Sequence, residues 1–166
     1  MNALPYRPWI LAALLAVLVG WPSSLSAQRR PNIQLTFRIV EANGFEKADP
    51  EIEDIVEDLQ EIFRFEGYRL LSTSVINTIP YADFSQALSS PQGDRFGLMG
   101  EISDDEEGDQ YHRLQVQLVE VTDEEHDGLL QAAVNLRDGQ TVVLGSARPT
   151  PEAAALILVV TARFSY

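Results

Sequence analysis

Several short segments of this sequence alternate between apolar and polar residues. Between residues 33 and 39, apolar and polar positions alternate, and the apolar ones are Ile33, Leu35, Phe37 and Ile39. Because successive side chains of a β-strand point to opposite faces, a period of two predicts a strand with one face on a core. Comparable patterns predict further strands over residues 68–79, 95–102, 111–121, 129–136 and 140–146. Strands joined by short connections pair antiparallel, so a mainly antiparallel β-sheet is expected.

The last predicted strand, residues 156–164, begins with a continuous apolar run, which predicts burial on both of its faces. Ahead of it, Asp138-Gly139 separates the segments 129–136 and 140–146. An Asp-Gly pair between two strands is typical of a hairpin with a type I′ turn, in which both central residues have positive φ. We therefore expect the two segments to be neighbours in one sheet, with Gly139 at positive φ.

One segment, from residue 50 to about residue 66, has helical spacing instead. Its apolar residues form a single stripe at Ile52, Ile55, Val56, Leu59, Ile62 and Phe63. Asp49 can cap the free amides, a proline at the first position suits the first turn, and Gly67 lies where a left-handed residue would end the helix. The opposite face is acidic, as a solvated surface usually is. We expect Leu59 and Ile62 to lie in the core.

The middle of the chain is less clearly patterned. Residues 81–90 predict a short helical or irregular piece, and Pro91-Gln92-Gly93-Asp94 predicts a turn into the strand that starts at Arg95. Taken together, the patterns predict an α+β fold in which one amphipathic helix packs on a mainly antiparallel β-sheet.

The N-terminal residues 1–27 have the order of a secretory signal peptide. Arg7 precedes an apolar run over residues 9–19, and a small residue, Ala27, ends the segment. The run is shorter than the roughly 20 residues that a membrane-spanning helix needs, although a retained anchor is the alternative. We expect cleavage after Ala27, a mature chain beginning at Gln28, and one domain over residues 28–166 in the periplasm, with outer-membrane association as an option.

Charge and cysteine content restrict the partners. The chain has no cysteine, so no disulfide supports an exported domain. Removing residues 1–27 removes one basic residue, Arg7, and no acid, which moves the net charge from −13 to −14. A surface of this sign repels phosphate backbones and anionic lipid head groups. Nucleic acid and direct binding to anionic membranes are therefore not expected, whereas a protein partner or self-association is.

The candidate chemical groups form no catalytic or metal-binding constellation. Acidic clusters occupy residues 104–109 and 123–128, and the second cluster has the opening spacing of an EF-hand, with Gly128 sixth, but Val134 at its twelfth position. The two histidines, His112 and His126, have no Cys or His at ligand spacing and no nucleophile motif, so both are expected at the surface. We assign no catalytic, cofactor-binding or metal residue and expect no enzymatic activity and no cofactor. A small exported enzyme of unknown reaction, a calcium-binding module and a small outer-membrane barrel are the alternatives.

Residues 134–161 resemble the C-terminal core of bacterial secretins, the outer-membrane ring proteins of type II and type III secretion and type IV pilus systems. The matching stretches are Asp138-Gly139-Gln140-Thr141-Val142-Val143-Leu144-Gly145 and Leu156-Ile157-Leu158-Val159-Val160-Thr161. The second glycine that usually follows the hairpin is Ser146 here, and the usual proline after the last threonine is Ala162. The resemblance implies a non-enzymatic envelope module that acts through protein–protein contacts in secretion or pilus assembly.

Overall fold

The computed structural model describes residues 32–43, 48–104, 111–122, 126–150 and 153–165. The predicted signal peptide, residues 1–27, and most of both acidic clusters lie outside these ranges. The described chain contains eight strands and one α-helix: β1 (Asn32–Asn43), α1 (Glu53–Ile62, after a 3-10 turn over Pro50–Ile52), β2 (Gly67–Thr78), β3 (Ala82–Ser89), β4 (Arg95–Asp104), β5 (His112–Val121), β6 (His126–Leu136), β7 (Thr141–Ala147) and β8 (Ala155–Ser165).

The strands form two antiparallel sheets that pack face to face. Sheet A has the order β2-β1-β8-β7 and sheet B the order β3-β4-β5-β6. The inner faces share one apolar core, to which β1 contributes Ile33, Leu35, Phe37 and Ile39, all fully buried as predicted. The α+β class is confirmed, but the single sheet expected from the sequence is two sheets.

A second, smaller core lies on the outer face of sheet A, beneath α1. It contains Ile52, Ile55 and Leu59 from the helical segment and Val40, Ala42, Tyr68, Ala155, Ile157 and Val159 from the sheet. β8 therefore has one row of side chains in each core, which confirms the prediction of burial on both faces. β2, the neighbour of β1, contains a β-bulge. Ile39 pairs with Ser72 and Val40 with Leu70, so Leu71 is the extra residue.

The start of the helix is as predicted, but its end is not. Asp49 Oδ1 accepts a hydrogen bond from the Glu51 amide at 3.1 Å, which confirms the cap. The helix ends at Ile62, about one turn earlier than expected, and the Ile62 side chain is 58% exposed rather than in the core. Gly67 begins β2 and does not have positive φ, so its predicted role as a helix stop is wrong.

Tyr68 explains the early end of the helix. Its hydroxyl lies 3.2 Å from the Leu59 carbonyl oxygen, which also accepts from the Phe63 amide, and 2.9 Å from the Phe63 carbonyl oxygen just past the end of the helix. Because this donor comes from β2, the chain can leave the helix at Phe63 in an extended conformation, with φ −120° and ψ 136°. Burial raises the pKa of the Tyr68 hydroxyl, so it remains a proton donor through the neutral range.

Two further predictions are corrected. Residues 81–90, expected to be helical or irregular, contain the regular strand β3. Asp138-Gly139 connects β6 to β7, but these strands belong to different sheets, so the connection is not a hairpin. Gly139 has the predicted positive φ of +72°, whereas Asp138 does not have positive φ, which is the pattern of a type II rather than a type I′ turn.

The connection at Asp138-Gly139 is held instead by β8. The Gly139 amide donates to the Ala162 carbonyl at 2.9 Å, and the Phe164 amide donates to Asp138 Oδ1 at 2.6 Å. The turn thus carries the chain from β6 of sheet B into β7 of sheet A, beside β8. Among the described residues, no helix has the length and apolar character that crossing a bilayer requires.

Candidate binding surface on sheet B

The outer face of sheet B carries a shallow groove of about 410 Å³. The strand registers place its side chains in rows across the sheet. One row runs Ser85, Met99, Gln117, Gln131, and the next runs Asp83, Glu101, Gln115. Phe84, Gly100 and Val116, the intervening residues of three strands, complete the lining. Within the described ranges no helix covers this face, whereas α1 covers part of the outer face of sheet A.

Gly100 lies behind the groove, and its missing side chain would point towards the core. A Cβ atom at this position would lie 2.3 Å from the Gln115 carbonyl oxygen and 2.7 Å from the Phe84 ring, both closer than real contacts allow. Phe84 pairs directly with Gly100 across β3 and β4, and its ring centroid lies 5.7 Å from that of Phe37 in the core. The aromatic ring therefore occupies the space that the glycine leaves, as in aromatic rescue of strand glycines.

The lining offers hydrogen bonding and one apolar contact. Gln115 Nε2 donates to Glu101 Oε1 at 3.0 Å, and Met99 is 40% exposed beside the amide side chains. The lining contains no histidine, cysteine or lysine. Side chains of this kind can bind a polar or extended chain, and they supply no activated nucleophile.

β3 lies at one side of this groove and, in the part of the chain that the structure describes, is an edge strand of sheet B. The other three edge strands of the described sheets, β2, β6 and β7, each lie in a strand pair with a register shift, whereas β3 pairs with β4 without interruption over residues 82–89. Its one charged residue is Asp83, and it contains no proline or lysine. Bulges, charges and prolines are the usual protection of sheet edges, so β3 is a comparatively unprotected edge.

The hydrogen bonds of the β3–β4 turn indicate which backbone groups face the open side. The Ser90 amide donates to the Asp94 carbonyl at 2.9 Å. Because hydrogen-bonded and non-hydrogen-bonded pairs alternate along an antiparallel ladder, the even-numbered residues of β3 bond to β4. The N–H and C=O groups of Asp83, Ser85, Ala87 and Ser89 therefore point to the open edge. Their side chains are exposed.

One side-chain contact agrees with this assignment: Gln86 Nε2 donates to the Ala87 carbonyl oxygen at 3.1 Å. The turn itself is well fixed, because Ser90 Oγ accepts from the Gln92 and Asp94 amides at 3.2 and 3.1 Å and Gly93 has φ +98°. This turn therefore fixes the position of the C-terminal end of β3.

Exposed apolar side chains are concentrated on β2 and on its connection with β3. Five large hydrophobic residues of the described chain are exposed, and three of them, Val75, Ile79 and Tyr81, belong to β2 or to its connection with β3. Tyr81 is 73% exposed and has φ +63°, a conformation that costs a bulky residue about 1–3 kcal/mol. Backbone strain of this size is often found at binding sites, so it adds to the case for this side of the molecule.

The residues singled out from the sequence lie elsewhere. Residues 126–134, the larger part of the EF-hand-like spacing, belong to β6, which is paired with β5. Within the described ranges, no three His, Cys, Asp or Glu side chains come together in a way that could hold a metal ion. The acidic face of α1 is exposed, and Asp54 on that face pairs with Arg38 of β1 at 2.7 Å.

His112 is buried, contrary to the expected surface position. It is 6% exposed, and its ring meets the Phe164 ring edge-to-face with 4.5 Å between centroids. Its position could have been predicted, because residue 112 is in phase with the buried residues Leu114 and Val116 of the same strand. The side chain of His126 lies outside the described part of the structure.

Neither a family model nor a curated protein matches this sequence. Among solved structures, the chain is similar to the Salmonella SPI-1 type III secretion injectisome secretin InvG, residues 176 to the end, in the open gate state, with a TM-score of 0.41 and 8% identity. The match covers 96% of this chain and 66% of the secretin chain, so this chain spans just under two thirds of that length. That protein is a secretin, the class that residues 134–161 resemble in sequence.

Proposed function

We propose that this protein is a non-enzymatic module of the bacterial cell envelope that binds protein through the open edge of β3. In this proposal residues 1–27 are removed on export, and residues 28–166 work as one domain in the periplasm. A role in secretion or pilus assembly belongs to the same proposal and draws on residues 138–145 and 156–161, whose sequence resembles secretins.

The observation that carries the proposal is the open, regular edge of β3. An extended segment of a partner can add a strand there, because the N–H and C=O groups of four residues of β3 face outwards. Main-chain hydrogen bonds would supply affinity. Side chains of the added strand that point outwards would lie next to Ser85, at the end of the row that continues with Met99. The glutamine amides of the groove would then select among partner side chains.

In vivo photo-crosslinking in the native bacterium tests the proposal. A photoreactive residue at Ala87, on the open edge, should give covalent adducts with protein, and the same residue at Glu57, on the exposed face of α1, should not. Ser85→Pro should abolish the adducts at residue 87, because proline removes an edge donor without removing a hydrogen bond to β4. Adducts of equal yield at the two positions, or none at residue 87, would refute binding at this edge.

A further inference from the structure

We propose that the occupant of the β3 edge is a second copy of this chain, bound so that the two β3 strands run antiparallel about a two-fold axis at Gln86. This inference rests on the proposed function, since it names the partner of the same edge. The two copies of sheet B would then form one continuous sheet across the dimer.

The backbone is suited to this pairing. With Gln86 opposite itself, Asp83 faces Ser89 of the second copy and Ser85 faces Ala87. These are the residues whose N–H and C=O groups point to the open edge, so all four pairs are of the hydrogen-bonded kind. Two-fold pairing over residues 83–89 can form up to about eight backbone hydrogen bonds. The bond from Gln86 Nε2 to the Ala87 carbonyl is replaced by a main-chain bond.

The side chains of β3 are self-complementary in the same register. On the side towards the core, Phe84 lies opposite Leu88 of the second copy, Leu88 opposite Phe84, and Gln86 opposite Gln86, so apolar meets apolar and amide meets amide. On the outer side, Asp83 lies opposite Ser89 and not opposite a second Asp83. Directly opposed like charges destabilise strand pairs, and this register avoids them. An isologous contact of this kind closes at two copies and leaves no further β3 edge open.

Long-range charge opposes the association. Each copy has a net charge of −14 once residues 1–27, with Arg7, are removed, but the only charge on β3 is Asp83. Repulsion between the rest of the two acidic surfaces is screened beyond about 8 Å at physiological ionic strength. Self-association should therefore strengthen as salt is added, whereas binding of a cationic partner should weaken.

Because the chain contains no cysteine, single introduced cysteines can report the register. In the proposed pairing the two Gln86 Cα atoms are about 4.5 Å apart, as in a non-hydrogen-bonded pair, and the two Ser85 Cα atoms are about 8 Å apart. Disulfides need Cα atoms within about 7 Å, so under mild oxidation Gln86→Cys should form linked dimers at least about tenfold faster than Ser85→Cys. Equal rates for the two variants, or faster linkage of Ser85→Cys, would overturn the proposed pairing.

Sedimentation of the purified protein provides the second measurement. We expect a concentration-dependent dimer whose association constant rises between about 20 mM and about 500 mM NaCl. Ser85→Pro should lower that constant about tenfold or more, and Glu57→Ala, on the exposed face of α1, should leave it unchanged. Urea melts of both variants verify that the fold is intact. A monomer at all concentrations would overturn the dimer, while adducts at residue 87 to a different protein would still support binding at the edge. Absence of both would overturn the proposed function as well.

Discussion

Truncation of Leu59 is expected to destabilise the protein far more than truncation of Ile62, three residues further along the same helix. Leu59 is fully buried in the core beneath α1, and Ile62 is 58% exposed. Leu59→Ala removes about three methylene equivalents at about 0.8 kcal/mol each, and the cavity left between helix and sheet adds about 1 kcal/mol. The expected loss in the free energy of unfolding is therefore about 3 kcal/mol.

Ile62→Ala should cost less than about 1 kcal/mol, because over half of its side chain is already in water and alanine is the better helix former. Urea denaturation of both variants, with Glu57→Ala as a surface control expected within about 0.5 kcal/mol, gives the comparison. The midpoints should move while the slopes stay constant. Equal losses at residues 59 and 62 would mean that the helix continues past Ile62 and turns this side chain to the sheet, which would refute the role given to Tyr68.

Further predictions concern two glycines, the ionisation of Tyr68 and the first residue of the exported protein. Gly139→Val should lower the free energy of unfolding by about 1–2 kcal/mol in a denaturant melt, because valine is strained at positive φ. Gly139→Asn should change it almost not at all, because asparagine tolerates this conformation and no atom lies within 4 Å of a Cβ there. Gly100→Ala should cost about 1–3 kcal/mol, because a backbone oxygen cannot yield as the Phe84 ring can; a silent variant would show that β4 and β5 shift apart. Since the folded pKa of Tyr68 is raised above 10.0, its contribution to stability is fully present below pH 10 and is lost as pH rises through the folded pKa. Tyr68→Phe should therefore lose less stability than the wild type in melts above pH 10, and equal losses would contradict the burial effect. Intact-mass measurement of exported protein should give Gln28 as the first residue, and a mass that includes residues 1–27 would favour the retained anchor.

The elements that could be predicted from the sequence are those with a long, unambiguous period. β1 has four alternating apolar residues, and β8 has a run long enough to fill two cores, so both were assigned with the correct burial. Residues 82–89 were not predicted as a strand. Phe84 and Leu88 are four residues apart, a spacing that fits both a strand and a helix, and Gln86 interrupts the alternation. The missed strand is also the one that carries the candidate binding edge.

Other errors have a tertiary origin. The stripe of α1 continues to Ile62 in the sequence, but the hydroxyl of Tyr68, supplied from a neighbouring strand, allows the helix to end earlier. Asp138-Gly139 is a good local turn whichever sheet follows it, so the sequence around it could not reveal that β6 and β7 separate. Both features depend on contacts between segments that are distant along the chain, which local patterns do not record.

The position of β8 in sheet A has a consequence for how this protein reaches its folded state. The first described strand pairs with the last, Asn32 with Ser165, and β8 lies between β1 and β7 while completing both cores. A chain that is still emerging, without residues 155–165, leaves β1 unpaired on one side and has no means of closing either core. Loop-closure entropy must be overcome before these contacts form, so we expect folding to be slow and to wait for residues 155–165. We expect a chain without these residues to stay unfolded during synthesis, the state in which a polypeptide can still be threaded through a narrow channel.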